Sequence, residues 1–120
     1  MQDHDRMFQN LFSRFAPAPD PHAIDHHDFE RAVNDGHYAV VDVREAHEFA
    51  QGHIPKSVNM PLSRFDPRRL PHGKPVALVC RSGVRSASAV RKAHAGGRND
   101  VRHYAGGIVG WLSRNGALSR

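Results

Sequence analysis

The chain has 120 residues, enough for one domain whose single core buries about two-thirds of the extended surface, and too few for a second domain. Lysine and arginine exceed aspartate and glutamate, 17 − 12 = +5, and ten histidines add charge as pH falls, so the surface favours anionic partners. The basic residues form no dense run and aromatics are few, which argues against nucleic acid. The single cysteine excludes an internal disulfide and points to a reducing compartment, with the cytoplasm as the expected location. No apolar stretch approaches the roughly 20 residues of a membrane span, and the N-terminus lacks the apolar segment of a secretion signal, so no stable membrane insertion is expected.

Residues 1–21 read as an appendage and linker, and residues 22–118 as the domain. Met7, Phe8, Leu11, Phe12 and Phe15 form a short apolar helical stripe, ended by Pro17, Pro19 and Pro21. Its expected role is packing on the domain or across a homodimer. From Ala23 onward, helix and strand patterns alternate. Asp25 caps a helix with Phe29, Ala32 and Val33 inward, closed by Gly36. Tyr38 to Val43 reads as a buried strand, Glu45 to Ala50 as a short helix ending at Gly52, and Ser57-Val58-Asn59 as an extended stretch broken by Pro61. Val76 to Val79 is a third strand, Ser86 to Ala93 a helix, and Val101 to Tyr104 another strand. Gly107 to Arg114 is predicted as a last helix with Ile108, Trp111 and Leu112 inward. This alternation implies a parallel sheet with helices on both faces, and sites in such sheets form beyond the carboxyl ends of strands.

Cys80 stands at one such end, between the apolar run Pro75-Val76-Ala77-Leu78-Val79 and Arg81-Ser82-Gly83-Val84-Arg85-Ser86. On a strand-to-helix loop, the free N–H groups of the first helical turn point at the loop. Arg81 and Arg85 add two positive charges. Sites of this kind lower a cysteine from a pKa of about 8.5 to roughly 3.5–7.5, so the sulfur is expected to be a thiolate at neutral pH. The alternative is an inert core cysteine, since free cysteine is among the most buried residue types. A core cysteine needs neither the glycine nor the two arginines that an anion cradle uses.

Asp42-Val43-Arg44, Glu48-Phe49, Gly52-His53-Ile54, Ser57-Val58-Asn59-Met60-Pro61, Cys80-Arg81-Ser82-Gly83-Val84-Arg85-Ser86, and Gly106-Gly107 with Trp111 occur in this order. Together they resemble a single-domain rhodanese, over about Ala23 to Gly116. The resemblance implies an α/β three-layer sandwich, with a central five-stranded parallel sheet flanked by helices. It also implies sulfurtransferase chemistry through a cysteine persulfide. Cys80 is then the nucleophile, and Arg81, Ser82, Gly83, Val84, Arg85 and Ser86 are the substrate-binding loop. Arg81 and Arg85 either orient the dianionic donor or are tied to a carboxylate. Asp42 and Arg44 are expected as a supporting charge pair, His53 as a structural hydrogen bonder, and Gly106 and Gly107 as the close approach of the last helix.

The expected partners are a small anionic sulfur donor such as thiosulfate and an external thiol, cyanide or protein acceptor. No cofactor is expected. Nor is a bound metal, because His22, His26 and His27 lie beside Asp20, Asp25 and Asp28 without a second cysteine or paired ligand motif. Two other readings compete on this fold. A phosphatase or arsenate reductase is disfavoured by the loop length, since Arg85 stands five positions after Cys80 rather than six, and Val79 rather than histidine precedes the cysteine. A non-catalytic interaction module is disfavoured by the intact cysteine loop.

The sequence also departs from the family pattern. Lys56 replaces a usual glycine, His94 a large aliphatic and Arg98 an aromatic, while Tyr104 and Ala105 replace leucine and an acidic residue. A thin core and modest stability are expected under the helix that follows Cys80.

Overall fold

The computed structural model describes residues 20–120. The apolar stripe between Met7 and Phe15, and the homodimer contact expected of it, lie outside the described residues. The first helix, α1 (His26–Asp35), starts where the Asp25 carboxylate accepts the Asp28 N–H at 2.8 Å. It ends at Gly36, whose φ of 73° gives a left-handed cap. Then follow β1 (Ala39–Asp42), α2 (Ala46–Gln51), β2 (Val58–Asn59), two single turns of tight helix at Leu62–Arg64 and Pro67–Arg69, and β3 (Val76–Val79). The remaining elements are α3 (Val84–Ala95), β4 (Val101–His103) and α4 (Gly107–Ser113).

The strands are all parallel, in the order β2-β1-β3-β4. Side chains alternate across β3, so one central strand feeds two cores. Ala77 and Val79 pack with Ile24, Phe29, Val40, Ile54, Ile108 and Trp111. Val76 and Leu78 pack on the opposite face with Val41, Leu70, Ala89, Val90, Ala93 and Val101. All four β3 residues are buried, which is why the strand is a continuous apolar run rather than an alternating one.

The sheet has four strands, one fewer than expected. Ala23 occupies the fifth place beside β4 as a single parallel bridge to His103. The Ile24 N–H donates to the His103 carbonyl at 2.8 Å, and the His103 N–H donates to that of His22 at 2.9 Å. Asp25 then caps α1 at once, leaving no residues to extend the pairing. Leu112 also differs from expectation: Ile108 and Trp111 of α4 are buried, but Leu112 is 48% exposed.

Asp20 and Ser119, just outside the expected limits of 22–118, both contact the domain. Ser119 exchanges backbone hydrogen bonds with His53, at 2.7 and 2.9 Å. Under α3, where a thin core was expected, the buried side chains are small: Ser86, Ala89, Val90 and Ala93. Two of the unusual residues tie this region by polar contacts. His94 Nε2 donates to the Val101 carbonyl at 2.9 Å. Arg98 reaches the carbonyls of Leu70 and Pro71 at 3.2 and 2.8 Å and pairs with Asp100.

Lys56 stands in the left-handed region with φ 68°, which costs a residue with a Cβ about 1 kcal/mol. Lys56→Gly is therefore expected to raise the thermal midpoint by a few degrees, measured by circular dichroism, because relief of the strain outweighs the added freedom of the unfolded chain.

Candidate active site

Cys80 follows β3 directly and is 1% exposed. After it the chain reverses at Gly83, where φ is 95° and a Cβ would collide with the Ala105 carbonyl. This reversal brings the start of α3 over the sulfur. The Gly83 N–H donates to Sγ at 3.1 Å and the Ser86 N–H at 3.4 Å, while Ser86 Oγ lies 3.5 Å away.

The loop turns its amides inward because its carbonyls are held elsewhere. The Ile108 N–H donates to the Cys80 carbonyl at 2.9 Å, and the Val109 N–H to the Arg81 carbonyl at 3.1 Å. Gly107 makes this approach possible. With φ 64°, it has no room for a Cβ, which would strike the Arg81 carbonyl and come within 2.7 Å of the Cys80 oxygen. Gly106 packs against the Tyr104 ring, where a Cβ would lie 3.1 Å from a ring carbon.

Burial pushes the Cys80 thiol up. Hydrogen bonds from the Ser86 hydroxyl and from the N–H groups of Ser86, Ser82 and Gly83 outweigh it, and the net shift is below the ordinary thiol value. The principal lowering contributions are therefore hydrogen bonds, rather than the arginine charges on which the sequence placed weight. Arg85 spends its fork on Glu48, at 2.6 and 3.0 Å. The exposed Arg81 side chain has no hydrogen-bond partner among the described residues, and it lines an open cleft with His47, Glu48, Ile108, Val109 and Leu112.

Asp42 and Arg44 form the expected pair. The Arg44 guanidinium donates to the buried Asp42 carboxylate at 2.8, 3.0 and 3.1 Å and to the Gly52 carbonyl at 2.7 Å. The Asn59 amide donates to the carbonyls of Asp42 and Arg44, both at 2.9 Å. The β1–α2 connection is thus fixed, and α2 carries Glu48 to Arg85. His53 is also structural: its ring stacks on Phe49 and Nδ1 donates to the Phe49 carbonyl at 3.0 Å.

Sequence reasoning missed His103. It lies behind the loop, with Nδ1 2.8 Å from Ser86 Oγ and Nε2 2.6 Å from the Asp20 carboxylate. The available signal was alternation: Val101 and His103 share a face of β4, so a polar side chain points into the core beside Val101. His22, His26 and His27 do not converge. His26 Nδ1 lies 2.8 Å from the Tyr104 hydroxyl, and the His22 ring stands edge-on to His94. Among the described residues, no helix is long and apolar enough to cross a membrane.

The Arg85 hydrogen bond is the main reason that Glu48 is lowered from 4.5 to about 2. Because the folded value is depressed, the pair's stabilisation is complete above about pH 4.5 and is lost as pH falls towards 2. The two side chains are a quarter to a third exposed, so solvent screening keeps the effect modest. Glu48→Gln is expected to be less stable than the parent chain in urea at pH 7, with the gap closing as pH falls through that window.

Comparison with known proteins agrees with this geometry. The rhodanese-like domain family model matches residues 25–114. An uncharacterized protein of Synechocystis is 39% identical over 74 residues, covering 60% of this chain and 41% of that one, so this chain spans less than half of that relative. A protein of Allochromatium vinosum named sulfurtransferase is 35% identical over 74 residues, covering 60% of this chain and 69% of the other. The crystal structure of a rhodanese-related protein from Thermoplasma volcanium superposes with a TM-score of 0.70 at 30% identity, covering 81% of this chain and 96% of that one. With a parallel sheet, a cysteine loop at the end of its central strand and a family match across both, the chain belongs to the rhodanese-like domain family.

Proposed function

We propose that this chain is a sulfurtransferase that accepts a sulfane sulfur from thiosulfate or a related anionic donor on Cys80, then passes it to cyanide or an external thiol, including one on a protein. The observation that carries this reading is the convergence of the Gly83 and Ser86 N–H groups and the Ser86 hydroxyl on one sulfur atom. Such a cradle stabilises the thiolate that attacks. Cys80 Sγ attacks the outer sulfur of thiosulfate, a new S–S bond forms, and the old one breaks with its electron pair leaving on sulfite. Cys80 then carries a persulfide, whose terminal sulfur takes the place of the donor's charge within reach of the loop amides. Attack by cyanide or an acceptor thiolate on that outer sulfur returns the Cys80 thiolate.

Arg81 acts at the mouth, holding the donor's charge, while Arg85 braces the loop through Glu48. Exposed Val84, Val109 and Leu112 suit an acceptor whose thiol is carried on an organic or protein body. A lone cysteine means that the persulfide is resolved by a thiol from outside the chain, as a reducing compartment such as the cytoplasm provides.

A thiosulfate–cyanide assay tests the reading directly. Thiocyanate production is expected from the parent chain and none from Cys80→Ser, and a parent chain that makes no thiocyanate and gains no sulfur atom by intact mass after exposure to donor would overturn it. For Arg81→Ala, a charge-assisted contact of about 1.5 kcal/mol predicts about a tenfold loss in kcat/KM for thiosulfate, mostly through KM.

A further inference from the structure

β4 places a buried titratable group directly behind the nucleophile. His103 is 2% exposed, and both ring nitrogens are hydrogen-bonded. Nε2 lies 2.6 Å from Asp20 Oδ2; an ionised carboxylate only accepts, so Nε2 carries a proton, and whenever the ring holds that proton alone Nδ1 is an acceptor. Asp20 stays ionised because hydrogen bonds from His103 and the His22 N–H hold its carboxyl below the usual range. Ser86 Oγ has one proton and three acceptors around it: His103 Nδ1 at 2.8 Å, the Gly83 carbonyl at 3.2 Å and Cys80 Sγ at 3.5 Å. The shortest of these is His103. A hydroxyl that gives its proton to His103 turns a lone pair towards the thiol.

We propose that Ser86, His103 and Asp20 form a relay that takes the Cys80 thiol proton away from the loop mouth, with His103 and Asp20 as positioning residues for the nucleophile. The S–H proton passes to Ser86 Oγ as the Ser86 hydroxyl proton passes to His103 Nδ1. One S–H bond is lost and one N–H bond gained, the hydroxyl is regenerated, and no electrons are exchanged. The result is a thiolate accepting a hydrogen bond from Ser86, and an imidazolium paired with Asp20. A buried imidazolium is costly unless paired and hydrogen-bonded, and Asp20 supplies both. Asp20 is 41% exposed at its side chain and lines a cleft with His22, Val90 and Arg91, sharing no residue with the cleft that holds Arg81. The proton is therefore held on the Asp20 side of the loop, away from the cleft that holds Arg81. The titratable and charged groups around the relay are Cys80 from the loop, Asp20 and His22 from the segment before α1, and Arg91 from α3.

The proposal rests on Cys80 as the nucleophile, but its test needs no sulfur donor. Since Cys80 is the sole cysteine, the rate of alkylation by iodoacetamide against pH reports its ionisation alone. In His103→Gln the midpoint is expected to rise by about one pH unit, which slows alkylation about tenfold well below it. In a Ser86→Ala background, the same His103→Gln change is expected to add nothing, because the link to the sulfur is already gone. An unchanged midpoint in folded His103→Gln, or an equal rise that persists in the Ser86→Ala background, overturns the relay. Should His103→Gln fail to fold by circular dichroism, Asp20→Asn decides: its exposed side chain tolerates the change, a smaller rise is expected, and no movement overturns the relay. Absence of thiocyanate production alongside these shifts would reject sulfur transfer and leave the relay standing.

Discussion

A peptide loop can aim several N–H groups at one atom only if its carbonyls are satisfied on the other side. In this protein that condition is met by α4, whose first amides hold the Cys80 and Arg81 carbonyls. Gly107 is the constraint on which this depends, since any side chain there would push α4 off the loop. The cradle around Sγ is thus a product of two segments, one that folds over the sulfur and one that turns the peptide planes. Burial raises the thiol, and the hydrogen bonds from Ser82, Gly83 and Ser86 in the loop that α4 holds reverse the sign.

The charged residues divide between fixing this geometry and presenting charge to solvent. Arg44 is committed to Asp42 and the Gly52 carbonyl, and Arg85 to Glu48. These bonds join β1, α2 and the start of α3 into one frame around the loop mouth. Arg98 and His94 do similar work below α3, where small buried side chains leave backbone carbonyls for polar groups to hold. Arg81 is left with its charge facing the open cleft. A basic surface therefore does not mean that every arginine near the sulfur meets the substrate.

Two clefts near the cysteine loop share no residue: one holds Arg81, and the other holds Asp20, which is linked to the sulfur through the hydrogen bonds of Ser86 and His103. In the relay we propose, sulfur would arrive on the Arg81 side and the proton would be drawn to the Asp20 side, leaving the loop amides free for the charge that develops on the transferred atom.

Much of this was legible in the residues themselves. A four-residue apolar strand buried on both faces and a cysteine at its end follow from local pattern, because burial and helix start depend on neighbours in the chain, while the close approach at Gly107 was implied by the family resemblance. The missing fifth strand was less legible: the length of a pairing at β4 depends on where Asp25 starts a helix. So was Leu112, whose spacing from Ile108 fits an inward face while the tertiary packing leaves it at a cleft. The sequence by itself located the single cysteine, the loop that follows it and the parallel sheet that presents them. Only the tertiary structure decided that Arg85 pairs with Glu48, 37 residues away, and that His103 meets Asp20, 83 residues away. The physical reason is that a side chain's partner is whatever distant segment the packing sets opposite it, and short-range spacing carries no record of that.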